Sequence, residues 1–156
     1  MIADAIRLAS DTLVKPFEGY AKRLSDGSCR AYPDPATHGA PWTIGWGCTG
    51  ADITPDTVWS QDKAQEELEK HLLYFTSKAI RMSPSLITSG DRRLAAIISF
   101  TYNCGLGRYR ISTLKKRVDA RDWEGACEEI VKWNKASGRV LVGLTRRRLA
   151  ESALLS

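Results

Sequence analysis

The chain has 156 residues, 43% hydrophobic and 26% charged, with a formal net charge of +5. This is enough for one domain with its own core and short for two, and no stretch approaches the ~20 apolar residues that span a bilayer. Stable membrane insertion is therefore not expected, and the basic balance favours a polyanionic partner without choosing among nucleic acid, anionic lipid and anionic wall polymer.

The opening residues, Met1 to Arg7, lack a basic region followed by an apolar run, and so do not read as a secretory signal. Ile2, Ile6, Leu8, Ala9 and Leu13 recur at near-helical spacing, which predicts a first amphipathic helix over 2–15. Pro16 should kink or end it and leave Phe17-Glu18-Gly19 at its terminus. From Tyr20 to Gly50 the texture changes to Gly, Pro, Asp, Ser and aromatic residues. Ser25-Asp26-Gly27-Ser28 reads as a hairpin turn between short strands, and Trp42 to Gly47 as one more strand with glycines at close backbone approaches. Thr54-Pro55 suits a helix cap and first turn.

From there the pattern is helical. A long helix over 61–81 carries Ala64, Leu68, His71/Leu72, Phe75 and Ala79 along one side, and Met82 to Ser85 closes it. Residues 90–104 are apolar on most sides and predict the buried centre of a helical lobe, stopped at Gly105. Shorter helices are expected at about 112–119, 122–133 and 143–154. The four cysteines include no CxxC pair, and with His38 and His71 they make no zinc-type spacing, so neither a metal nor a cofactor is expected. Cys104 and Cys127 read as small core residues, while Cys29 and Cys48 could pair across the turn-rich segment.

The expected class is α+β and mostly helical, a single domain over 1–156. A small β-containing lobe (about 16–60) would join through the linking helix (about 61–81) to an all-helical lobe (about 83–156 with the N-terminal helix). A cleft between two such parts would suit a polymer.

Glycosidic cleavage uses two carboxyl groups, one donating a proton to the leaving oxygen and the other activating water or attacking. Glu18 suits the first role, since it ends an apolar helix between Phe17 and a glycine, where the helix meets the turn-rich segment. With Phe17-Glu18-Gly19, the segments Ala31-Tyr32-Pro33-Asp34 and Trp42-Thr43-Ile44-Gly45-Trp46-Gly47-Cys48-Thr49 resemble the phage-type lysozymes of glycoside hydrolase family 24. In that family a helix-ending Glu-Gly is followed by Tyr-x-Asp and then Thr-Ile-Gly-x-Gly-His. Ser99 to Gly105, Ser112-Thr113-Leu114, Asp122 to Ala126, and Gly138 through Arg148 resemble the family's helical lobe in the same order, so the likeness runs from about residue 6 to 154.

The resemblance implies a lysozyme-like fold and an endolysin that hydrolyses the β-1,4 bond between N-acetylmuramic acid and N-acetylglucosamine in bacterial peptidoglycan, with inversion. Glu18 would be the general acid, Asp34 the second carboxylate, and Thr43 the hydroxyl that helps hold the attacking water. Tyr32, Asn103 and Arg139 would bind substrate, although an exposed loop arginine explains Arg139 equally well. It further implies a monomer that waits in the host bacterial cytoplasm and reaches the wall through a lesion made by a separate holin-type protein, with no nucleic-acid partner.

The spacing departs from the family's. Residues 19–33 separate Glu18 from Asp34 and residues 35–42 separate Asp34 from Thr43. The family has about eight and about five residues there, and the extra ones fit longer turns, which folds tolerate. Counting by the family's spacing lands beside Asp26, a competitor for the second carboxylate, although a Ser-Asp-Gly-Ser turn explains an Asp by itself. Cys48 stands where the family has histidine and cannot make the same hydrogen bonds. Two other readings remain: a lytic transglycosylase, which needs the acid but no water-activating carboxylate, and a non-catalytic cationic wall-binding module. The Arg146-Arg147-Arg148 run supports the latter weakly, because such runs are usually solvated helix faces. An accessory membrane-disrupting action of the C-terminal helix is compatible with either.

Overall fold

The computed structural model describes residues 2–35 and 37–156. It is α+β and mostly helical, with three two-stranded antiparallel sheets among the described residues. The chain forms two compact units, one over Val14–His71 and the other made of Leu72–Ser156 and the segment ending at Leu13.

Helix α1 (Ile2–Ala9) runs into a π-helical stretch, Ser10–Val14, and then into α2 (Lys15–Glu18). Pro16 therefore does not end the helix. It occupies the first turn of α2, where an absent N–H costs nothing, and the wider π turn before it absorbs the misfit. Gly19, at φ +71°, stops the helix, and its N–H bonds back to the Lys15 carbonyl at 3.0 Å.

In the Val14–His71 unit the predicted hairpin at Ser25–Ser28 is a tight turn closed by Leu24 N–H to Ser28 O at 2.7 Å and a single bridge, Arg23 to Cys29. Strand β1 (Cys29–Arg30) pairs instead with β4 (Val58–Trp59). The stretch Trp42–Gly47 is not one strand. Strand β2 (Thr43–Ile44) turns at Gly45-Trp46-Gly47 and returns as β3 (Cys48–Thr49), with Gly45 and Gly47 at φ +63° and +84°. Those angles favour glycine and explain why two of them bracket the turn. Thr54-Pro55 forms a turn, because β4 intervenes before the long helix. That helix, α3 (Gln61–Met82), is capped by Ser60, whose hydroxyl accepts the Lys63 N–H at 3.1 Å. Buried Cys29, Ile44, Cys48, Trp46, Trp59, Ala64 and Leu68 make this unit's core.

The other unit is built on α4 (Asp91–Cys104), whose residues Leu94 through Thr101 are all buried, with α1 and α8 (Val142–Leu155) packed against it. Around it lie a 3₁₀ turn (Pro84–Thr88), α6 (Thr113–Asp119) and α7 (Trp123–Ile130), the last two capped by Ser112 and Asp122. Helix α5 (Leu106–Ile111) was not expected, nor was a hairpin of β5 (Lys135–Ala136) and β6 (Arg139–Val140), so this part is not all-helical. Ser137 and Gly138, both at positive φ, make the two-residue hairpin turn. Cys104 and Cys127 are half-buried rather than core, with Cys104 Sγ receiving a bond from the Arg148 guanidinium and Cys127 Sγ bonding the Ser152 carbonyl. All four cysteines are free thiols, Cys29 and Cys48 included.

The arginine run is not a solvated face. Arg147 and Arg148 are buried around the Glu151 carboxylate, which also accepts the Ser99 hydroxyl at 2.6 Å. Helix period spreads three consecutive arginines around the axis, so Arg146 faces out while Arg147 and Arg148 face in. The polar partners that α4 offers, Ser99 to Arg147 and Cys104 to Arg148, are a tertiary fact.

Candidate active site

Glu18 is the last residue of α2 and is half-buried. The β2–β3 turn fixes its surroundings. Trp46 at the turn tip lies 4.7 Å from the Tyr20 ring, and Lys15 Nζ sits 4.6 Å from the Trp46 ring centroid. The indole thus holds the chain on both sides of Glu18. Beside it Gly47 lets backbone approach the carboxylate so closely that a Cβ there would fall 2.9 Å from Oε2. Gly45 approaches α3 in the same way, with a Cβ position 3.3 Å from that of Ala64.

Tyr32 and Thr43 face one another in an isolated antiparallel bridge, exchanging both backbone hydrogen bonds at 2.8 and 2.9 Å. Directly opposed residues place their side chains on one face. Burial pushes the Tyr32 phenol above its usual range, and the negative charge of Glu18 pushes it further, followed by Cys48 and Cys29. Glu18 and Tyr32 therefore share one electrostatic neighbourhood, and Thr43 stands opposite Tyr32.

Asp34 lies two residues past Tyr32, at the start of a small closed loop. Its N–H bonds Gly39 O at 3.0 Å, its carbonyl accepts the His38 N–H at 2.8 Å, and Oδ1 accepts the Thr37 N–H at 3.2 Å. These bonds tie Asp34 to its own loop. Asp26 differs. It is exposed, and its Oδ1 takes both the N–H and the hydroxyl of Ser28, which hold its carboxyl below the usual range. Those bonds are the needs of the turn.

Asn103, next to last in α4, and Arg139, exposed on β6, belong to the other compact unit. An open hollow of about 430 Å³ adjoins the β2–β3 ribbon, lined by Pro41, Trp42, Thr49 and Ile53 among others. It begins one residue before Thr43 and includes Thr43's cross-strand partner, Thr49.

Two contributors escaped the sequence reading. Trp46 looked like a strand residue, and its contacts to Lys15 and Tyr20 have no signal in spacing. His71 stood on the apolar stripe of α3, and its Nδ1 meets Cys48 Sγ at 3.1 Å. A histidine on such a stripe, paired with a cysteine in a histidine's place, was the available sign. Among the described residues no three His, Cys, Asp or Glu side chains converge as metal ligands, and no helix is long and apolar enough to cross a membrane.

The likeness to known proteins extends along nearly the whole chain. It is 34% identical over 149 residues to an endolysin of Bacillus phage B103, covering 96% of this chain and 53% of that protein. An endolysin of Acyrthosiphon pisum secondary endosymbiont phage 1 is 32% identical over 146 residues, 91% of each chain. The chain spans about half the length of the Bacillus phage B103 and PZA endolysins, 53% and 55%. The fold is shared with the active form of P1 phage endolysin Lyz at a TM-score of 0.75 and 21% identity, over 99% of this chain and 93% of that one. The muramidase domain of SpmX from Asticaccaulis excentricus gives 0.75 at 23% identity, over 97% and 93%. The family model described as phage lysozyme matches residues 17–151, and the chain belongs to that family.

Proposed function

We propose that this protein is an endolysin, a glycoside hydrolase that cleaves the β-1,4 bond between N-acetylmuramic acid and N-acetylglucosamine in bacterial peptidoglycan. The observation that carries the reading is the company of Glu18. A half-buried carboxylate ends a helix, pressed on by Gly47, with Tyr32 in its field and Tyr32 paired to Thr43. Names of relatives agree with it, since the chain matches endolysins along most of its length.

In this mechanism Glu18 protonates the glycosidic oxygen as the bond to the anomeric carbon breaks. Asp34 accepts a proton from a water that the Thr43 hydroxyl helps to hold, and that water attacks the opposite face of the sugar, inverting the anomeric centre. Tyr32, Asn103 and Arg139 bind the glycan. The preference for Asp34 over Asp26 rests on place in the chain, for Asp34 lies two residues past Tyr32, the cross-strand partner of Thr43, whereas Asp26 sits in an exposed turn of its own. The protein acts as a monomer on the wall, reached from the host cytoplasm with the help of a holin-type partner, and needs no cofactor. Analysis of the fragments from purified wall tests the reaction. Reducing muramic ends are expected; anhydro ends would mean a transglycosylase, and intact wall a binding module.

A further inference from the structure

We propose that Cys48 and His71 form a positioning pair for Glu18, a thiol–imidazole link through which α3 holds the β2–β3 turn against the acid; this rests on the reading of Glu18 as the proton donor. The turn residues form a short physical chain. Gly47 lies against the Glu18 carboxylate, with the position of a Cβ only 2.9 Å from Oε2 and 3.1 Å from Cδ. The next residue, Cys48, is 1% exposed, and its sulfur meets His71 Nδ1 at 3.1 Å. On the other side of the tip, Gly45 abuts Ala64 of the same helix. The turn is thus pinned to α3 at both ends, by close packing at Gly45 and by one directional polar contact at Cys48.

Of the two attachments, only the second is directional. Packing at Gly45 limits how near the turn can come to α3, whereas a hydrogen bond fixes both distance and angle. The link holds in either imidazole tautomer, because a thiol both donates and accepts. A shift of the turn moves Gly47 along the face of the carboxylate, and with it the position from which Glu18 meets the leaving oxygen. Misplacement of a reacting group by about 1 Å can cost up to about 10²-fold in rate. Neither residue touches substrate in this account, so the effect belongs in kcat and not in KM.

The test measures kcat, KM and thermal unfolding of wild type, Cys48→Val, Cys48→Ser, His71→Leu, His71→Gln, the Cys48→Val/His71→Leu double variant and Glu18→Gln. The substrate is soluble uncrosslinked glycan strands from purified peptidoglycan, with rates scored per folded molecule. Cys48→Val and His71→Leu should each lower kcat by about 10-fold with KM within about twofold. Cys48→Ser, which keeps a hydroxyl for the imidazole, should stay within about threefold of wild type, and the double variant should be no slower than the worse single one. The proposal is overturned by unchanged kcat in both apolar variants, by Cys48→Ser as slow as Cys48→Val, or by multiplicative losses in the double variant. If Cys48→Val does not fold, the comparison of His71→Gln with His71→Leu decides: equal rates overturn the proposal and rescue by the amide supports it. Glu18→Gln separates the two readings. An inactive Glu18→Gln beside unimpaired apolar variants ends the positioning pair alone, whereas an active Glu18→Gln ends the assignment on which it rests.

Discussion

Gly47 faces the Glu18 carboxylate while holding a backbone φ of +84°, so two demands for glycine coincide at one residue. A side chain there would be strained by the left-handed backbone and would also displace the acid. Gly90 isolates the first effect, since it sits at φ +96° with open space around its Cα. Gly47→Ala and Gly90→Ala should each lose about 1–3 kcal/mol of stability. Only Gly47→Ala should also lose wall-clearing activity per folded molecule, by about 10-fold or more. Denaturant unfolding alongside turbidity assays checks this, and equal activities would detach Gly47 from the acid's placement.

The two candidate second carboxylates should separate cleanly. Asp34→Ala is expected to slow hydrolysis by on the order of 10²–10⁴, the scale for losing a general base. Asp26→Ala should leave the rate near wild type and disturb only the turn that Ser28 closes. The opposite ranking in folded variants would move the water-activating role to Asp26.

Buried charge in α8 gives a stability prediction. Glu151 and Arg148 are fully buried, with Oε2 and Nε 2.7 Å apart, and Arg147 lies 3.4 Å from the other oxygen. Burial raises the Glu151 carboxyl, while Arg148, Ser99 and Arg147 pull it back. Removing the carboxylate would strand two guanidinium groups, so Glu151→Ala should cost about 3–5 kcal/mol. The neighbouring exposed Arg146→Ala should stay within about 0.5 kcal/mol of wild type. Urea titration reads both.

Tyr109 links stability to alkaline pH. It is fully buried with its hydroxyl 2.9 Å from that of Ser83, and burial pushes its phenol well above the ordinary range. The folded protein resists ionising this group more than the unfolded chain does. The corresponding stability is complete below the unfolded value of about 10 and declines as pH rises from there toward the folded value. Tyr109→Phe should be less stable at neutral pH by about 1 kcal/mol. Its midpoint should then fall less than that of wild type above pH ~10. Parallel pH curves for the two proteins would remove Tyr109 as a source of the alkaline loss.

Much of this was legible in the chain. Apolar spacing located α1, α3 and α4, and Glu18 stood out because a helix end, an aromatic and a glycine met there. Turn chemistry explained Asp26 before any coordinates did. What escaped was tertiary. The glycines bracketing Trp46 read as strand positions, because a two-residue strand on either side of a turn leaves too little alternation to detect. The β5–β6 hairpin carried its Ser137-Gly138 signal in the gap between two predicted helices, but two-residue strands show too little alternation to be read as strands. Arg147 and Arg148 looked solvated because their partners on α4, Ser99 and Cys104, are more than forty positions away in sequence.

The central claim is that hydrolysis of the glycan runs through Glu18. Its most direct measure is the rate at which new reducing ends appear in purified peptidoglycan treated with wild type and with folded Glu18→Gln. Wild type should generate them steadily, and Glu18→Gln should be slower by on the order of 10²–10⁴. A Glu18→Gln rate within about tenfold of wild type, below that scale for losing a general acid, would contradict the account.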